Sequence, residues 1–262
     1  MTAIAVIPAR YASTRFPAKP LARETGKFLI QHVCERVAQA RLIARTIVAT
    51  DDERIADAVR SFGGQAVMTR PDHPSGTDRV AEVAAALECD IVVNIQGDEP
   101  ELEPAAIDHL ITLLADAPAC SIATLACPFS KVPGSDPADP AAVKVVLDRR
   151  GHALYFSRSL IPHHRDARPS APGAEPLLHL GIYAYRRDFL LALAALPPTP
   201  LELTERLEQL RVLEHGHAMA VGLVDRAAVG IDTPQDYAAF VRRMQTPSHG
   251  TKPQRSGTSH GR

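Results

Sequence analysis

The sequence has no tryptophan, and aromatic residues make up only 5% of it. Any core must therefore be aliphatic, and the 45% hydrophobic content of the 262 residues is enough to build a sizeable one. Cysteine is scarce: Cys34, Cys89, Cys120 and Cys127 show no CxxC spacing, and three of them lie in apolar runs. They read as reduced core residues rather than disulfides or zinc ligands. No run approaches the roughly 20 apolar residues that a membrane-spanning helix needs. The opening MTAIAVIPARYAS lacks the basic leader, long apolar stretch and small-residue cleavage site of a signal peptide. A cytoplasmic chain with no membrane partner is expected. An excess of one charge is also missing. With 29 basic and 30 acidic residues the net charge is -1, so no global field favours nucleic acid and any basic site must be local. Finally, no GxGxxG follows a strand, and Gly26-Lys27 lacks the upstream glycine and following Ser or Thr of a P-loop, which disfavours a dinucleotide dehydrogenase or P-loop kinase.

What is present is an alternation of short apolar runs and helical patterns, the signature of βαβ units around a mainly parallel, Rossmann-like sheet. Ala3 to Ile7, Arg45 to Ala49, Gln65 to Met68 and Asp90 to Ile95 read as strands. Phe28 to Ala40, a helix capped by Thr50 or Asp51 and ended by Gly63-Gly64, Asp78 to Leu87 and Ala105 to Leu114 read as the intervening helices. From about 121 to 200 the pattern turns strand-rich, which suggests a β-rich insertion. Helices return at Leu203 to His215 and at Pro234 to Arg243, the second with a start signal in Thr233, Pro234 and Asp236. One domain over 1–245 is expected, with an irregular loop between Ile161 and Leu177. The Ser-, Gly-, Pro- and His-rich tail 246–262 is expected to be disordered.

The segment Pro8 to Pro20 follows the first strand and carries Arg10, Arg15 and Lys19, hydroxyls on Ser13 and Thr14, and no acid. In an open α/β sheet, ligands bind at the carboxyl ends of strands, so this loop is a candidate phosphate grip as well as a possible solvated basic loop. Asp98 ends a strand and Asp232 precedes a helix. Both are hard oxygen donors suited to Mg²⁺, although Asp232 also reads as a helix-capping neighbour. Ser75, Gly76 and Thr77 form a small turn that reads equally as an N-terminal cap. Glu208 and Gln209 read by themselves as the polar face of a helix whose buried stripe is Leu203, Leu207, Leu210 and Leu213. His163 and His164, adjacent in a loop, are expected to be solvated.

The run IPARYASTRFPAKPL, with HPSGTDR, NIQGDEP, AVKVVLD, ALYFSR, HLGIYAYR, LEQLR and GIDTPQD in that order, resembles the 3-deoxy-manno-octulosonate cytidylyltransferases, also called CMP-Kdo synthetases, over about residues 3 to 244. The resemblance implies transfer of CMP from CTP to the anomeric hydroxyl of 3-deoxy-D-manno-octulosonate (Kdo), with release of pyrophosphate, in lipopolysaccharide biosynthesis. It implies a magnesium cofactor on Asp98 and Asp232, with Arg15 and Lys19 on the phosphates and transition-state charge. Arg10, Ser75, Gly76, Thr77, Asp78 and Arg79 would serve CTP. Gln96, Arg158, His179, Tyr183, Glu208 and Gln209 would serve the sugar acid. It also implies a homodimer meeting through the β-rich region. Rival readings are an enzyme for 8-amino-Kdo or sialic acid, a sugar-1-phosphate nucleotidyltransferase, and a non-catalytic nucleotide- or sugar-binding protein of the same fold. Phe28-Leu29 stands where the family more often has Pro-Met, which alters a helix start rather than a chemical group.

Overall fold

The computed structural model describes residues 1–12, 15–165 and 175–245; the expected disordered tail, Ser13 and Thr14, and the middle of the 161–177 loop lie outside them. The first half builds β1 (Ala3–Ala9), α1 (Leu29–Val37), β2 (Ile43–Thr50), α2 (Glu53–Ser61), β3 (Gln65–Met68), α3 (Gly76–Ala85), β4 (Ile91–Asn94) and α4 (Pro104–Asp116). Strands β3, β2, β1 and β4 pair in parallel. Their apolar runs are continuous because helices cover both sheet faces. Ala3, Ala5 and Ile7 enter the core with α1, α2 and α4, while Ile4 and Val6 enter the core with α3. Caps explain the helix starts: the Asp52 side chain accepts from Arg54 N at 3.0 Å, so the cap of α2 is one residue beyond the expected pair.

The strand-rich second half contributes β5 (Ile122–Pro128), β6 (Lys144–Leu147), β7 (Ala153–Ser157), β8 (Leu177–Arg186) and β9 (Met219–Leu223). Among the described residues the sheet has nine strands, seven of them ordered β3-β2-β1-β4-β8-β5-β9, with the β6–β7 hairpin branching from β8. Strand β8 runs antiparallel to both β4 and β5 in an otherwise parallel path. So β5 and β8 continue the central sheet, and β6 and β7 are the part of the segment that branches off its main path.

The helices of this half are α5 (Arg187–Ala195), α6 (Pro200–Glu205), α7 (Gln209–Glu214) and α8 (Pro234–Gln245). The helix expected over Leu203 to His215 is two short ones, because Arg206 adopts a left-handed conformation with φ 54°. Leu203, assigned to the buried stripe, is 54% exposed, whereas Leu207 and Leu210 are buried. Strand β9 and helix α5 had no clear sequence signal. Phe240, Tyr237, Leu29 and Ile231 form a separate small core that seats α8 beneath the loop after β1. All four cysteines are free, with Cys120 and Cys127 buried, and burial pushes the Cys34 thiol up to about 12. His163 is exposed, but His164 departs from expectation: its Nε2 is buried and has no hydrogen-bond partner among the described residues.

Candidate active site

Strand β1 ends in the middle of the parallel ladder, and its exit opens into a cleft of about 310 Å³ lined by Arg10, Lys19, Gly76, Gln96 and Asp98 among others. Arg10 donates from Nη2 to the carbonyls of His73 (2.7 Å) and Ser75 (3.0 Å), so this end of its guanidinium holds the turn that starts α3. Ser75 caps that helix: its Oγ accepts from Asp78 N at 3.1 Å and donates to Asp78 Oδ2 at 2.6 Å. The cap leaves first-turn N–H groups at the cleft edge, where a helix N-terminus favours an anionic or acceptor group. Farther along the loop, the Arg54 guanidinium lies 3.4 Å over the Tyr11 ring and is itself held by Asp52 at 2.6 Å, which ties the loop to α2.

Two carboxylates reach the same place from distant parts of the chain. After β4 the chain turns at Gly97, where an added Cβ would stand 3.1 Å from Pro8 O, tighter than most such contacts, so glycine lets this turn lie against the end of β1 without displacing it. Asp98 O then accepts from Ile231 N at 2.9 Å, and this backbone bond brings the α8 entrance to Asp98. Lys19 Nζ donates to Asp98 Oδ2 (2.6 Å) and Ile231 O (2.7 Å), and lies 3.6 Å from Asp232 Oδ1. Arg15 makes a bidentate pair with Asp232 at 3.0 and 3.1 Å. The cap of α8 is a reciprocal box between Thr233 and Asp236, with Asp236 Oδ2 accepting from Thr233 N at 2.9 Å and Thr233 Oγ1 from Asp236 N at 3.2 Å. The Asp232 carboxylate is therefore not the cap and remains available to the site. Beside Asp98, burial and then the Asp98 charge push the Glu99 carboxyl up to about 8.

The neighbouring wall is made by β8. Its pairing with β5 shifts between Thr124 and Leu125, leaving Gly181 and Ile182 unmatched. The freed carbonyls find side chains: Gln96 Nε2 donates to Gly181 O at 3.0 Å, and Thr124 Oγ1 lies 3.1 Å from Leu180 O and 2.8 Å from Ile182 O. An extended strand end would put Gln96 and Asp98, two residues apart, on one face. The chain turns there instead, and both still line the cleft. His179 Nε2 sits 3.0 Å from Thr124 Oγ1. Because the single threonine proton goes to a β8 carbonyl, the ring nitrogen is assigned as the donor. Burial pulls the His179 pKa down to about 3, so the ring is neutral. Tyr183 packs against His179, with ring centroids 5.5 Å apart, and burial followed by the charges of Tyr185 and Glu208 raises its phenol.

Two residues assigned to ligands have other partners. Arg79 is fully buried, bonded to Thr69 and, at 3.0 Å, to Asp51. Arg158 donates to the carbonyls of Glu205 (2.7 Å), Pro140 (3.0 Å) and Arg206 (3.3 Å). The structure thus brings Arg10, Arg15, Lys19, Gly76, Gln96, Asp98 and Asp232 together, and places His179 and Tyr183 on the next wall with Glu208 near enough for its charge to act on Tyr183, while Gln209 is buried at the start of α7. Sequence reasoning missed Thr124, the Ile231 carbonyl and the Gly181 carbonyl, because neither a strand threonine nor a backbone oxygen leaves a motif. The magnesium expectation meets a fitting donor set: Asp98, Asp232 and Ile231 O already converge on a cation, the Lys19 ammonium. Among the described residues no group of three or more His, Cys, Asp or Glu forms a denser cage.

A family profile described as cytidylyltransferase matches residues 4–220, and with the sheet and its cleft it defines the chain as a member of that class. The chain is 52% identical to the 3-deoxy-manno-octulosonate cytidylyltransferase of Syntrophotalea carbinolica, over 90% of this chain and 96% of that one. It is 49% identical to the enzyme of the same name from Geobacter sulfurreducens, over 94% and 100% of the two chains. A solved structure of CMP:2-keto-3-deoxy-manno-octonic acid synthetase complexed with CTP superposes with a TM-score of 0.86 at 46% identity, covering 93% of this chain and 98% of that one. The chain belongs to the 3-deoxy-manno-octulosonate cytidylyltransferase family.

Proposed function

We propose that the protein transfers CMP from CTP to the anomeric hydroxyl of Kdo, releasing pyrophosphate and supplying CMP-Kdo to lipopolysaccharide biosynthesis in the cytoplasm. The observation that carries this reading is the Lys19 ammonium held between Asp98 and Asp232 at the end of β1, with Arg15 paired to Asp232. Transfer to phosphorus depends mainly on positioning and on charge stabilisation, and a site that sets two cations against two carboxylates supplies both. Asp98 and Asp232 would hold Mg²⁺, which when bound neutralises phosphate charge and lowers the pKa of the attacking hydroxyl.

Lys19 and Arg15 then turn from the carboxylates to the triphosphate oxygens. The Arg15–Asp232 pair is 65% and 49% exposed, so breaking it costs little, roughly 0–1 kcal/mol for a pair of this kind. The Ser75–Gly76–Thr77 turn, braced by Arg10, faces the base with backbone groups. Gln96 and the neutral ring of His179 offer hydrogen bonds to sugar hydroxyls without adding charge. The protein acts as a homodimer whose contact includes the β6–β7 hairpin. Exposed Leu154 and Leu160 lie on and just after β7, and β7 pairs only with β6 among the described strands.

The test is pyrophosphate release from CTP with Mg²⁺ and a panel of Kdo, 8-amino-Kdo, sialic acid and no acceptor. Release is expected with Kdo and absent without acceptor. CTP binding without release across the whole panel would overturn the enzyme reading, and turnover with sialic acid but not Kdo would replace the acceptor.

A further inference from the structure

Helices α6 and α7 are six residues each, too short to be stable alone. They form an antiparallel elbow around Arg206, a residue that is neither glycine nor asparagine and yet has a positive φ. Polar ties hold both ends of this elbow. At the open end, Glu214 Oε2 accepts from Leu201 N at 2.9 Å and Glu202 N at 3.4 Å. At the bend, Arg158 binds the last carbonyls of α6, and the Glu205 carboxylate accepts from Ser157 Oγ (2.6 Å) and Arg158 N (2.9 Å), fixing the bend to the end of β7.

Between them lies a buried fork. Arg211 donates from Nη2 to Glu202 Oε1 at 2.6 Å and from Nε to Glu202 Oε2 at 2.8 Å, while Glu202 Oε2 also accepts from Thr199 N at 3.1 Å. Glu202 and Arg211 are 8% and 9% exposed. Two apolar residues could join the helices with comparable stability, since a buried ion pair seldom outperforms them. A planar fork adds a fixed rotational setting of one helix against the other. That setting controls what α7 presents at its start: Gln209 is buried at 7%, and Glu208 lies close enough to Tyr183 and Tyr185 for its charge to act on both phenols. Glu208, and more weakly Asp78, also act on Arg211, so the fork sits among the acids of the site.

We infer that Glu202 and Arg211 are positioning residues for the sugar-acid half of the site, setting α7 so that Glu208 and Gln209 meet the acceptor. The inference rests on the reading of Glu208 and Gln209 as sugar-acid ligands. Arg211→Lys keeps the charge and removes the fork. With this variant the KM for Kdo should rise about tenfold while the KM for CTP stays within about twofold, the pattern of lost acceptor binding alone. Glu202→Gln should move the same constant in the same direction. If a lone buried charge unfolds either single variant, the neutral pair Glu202→Gln with Arg211→Gln gives the same reading. Parallel changes in both KM values, or a lowered Tm with neither KM changed, would overturn the inference and leave the pair merely structural. Gln209→Ala separates the two levels. If it leaves the KM for Kdo unchanged, the ligand assignment fails and the inference with it; if it raises that KM and loss of the fork does not, only the inference fails.

Discussion

Lys19 sits where the opposite charges of the site meet, and its ammonium occupies an oxygen site formed by Asp98, Ile231 O and Asp232. If Asp98 and Asp232 hold a divalent cation as proposed, one that arrives without nucleotide would have to displace it. Replacing Lys19 with methionine should therefore raise the affinity for Mn²⁺ in the absence of CTP by about tenfold while lowering turnover about a hundredfold or more, as expected when a charge-stabilising group is lost. Mn²⁺ titration followed by electron paramagnetic resonance checks the first part, and unchanged affinity would show that the ammonium does not compete for the site. A second residue gives a pH dependence. The His179 pKa falls from 6.5 to about 3 on burial, so below pH 6.5 the unfolded chain takes up a proton that the folded ring refuses. This contribution to stability is present above 6.5 and is lost as the pH falls toward 3. His179→Asn should flatten the acid side of a Tm-against-pH curve, and an identical curve would mean that another group sets it. The charged residues themselves were legible from the motifs. Their mutual pairing was not, because Arg15 and Asp232 lie at opposite ends of the chain and only folding sets their distance.

At the scale of elements, α8 carries Asp232 at its entrance and is seated by aromatic packing. Phe240 is 1% exposed, meets His32 edge-on at 5.1 Å, and neighbours Tyr237, which in turn faces Phe16 of the basic loop at 5.6 Å. Phe240→Ala should cost about 3–5 kcal/mol in urea unfolding, the range for a buried aromatic truncation. A loss below 1 kcal/mol would mean that α8 is held by its cap rather than its core. The first-half elements were readable because parallel strands buried on both faces form unbroken apolar runs and the helices between them carry caps. The break between α6 and α7 was not readable. Arg206 has no local reason to leave the helix, and its carbonyl is held there by Arg158 from another part of the sheet.

For the whole molecule, Leu154 is 61% exposed and Leu160 41%. Leu154→Asp should shift the protein from dimer to monomer in light scattering with little change in the stability of the subunit, since an exposed side chain adds little to its core. A wild-type protein that is already a monomer would remove the dimer reading. No helix among the described residues is long and apolar enough to cross a membrane. The sequence by itself determined the fold class, the basic loop after β1, the two aspartates and, through its motifs, the family, because periodicity, caps and short motifs are local properties of the chain. Only the tertiary structure decided that the central sheet runs on through β8, β5 and β9, that Arg79 and Arg158 bond within the protein, and that Lys19 stands between Asp98 and Asp232. Those outcomes depend on which distant backbone atoms and charges folding brings within hydrogen-bonding distance.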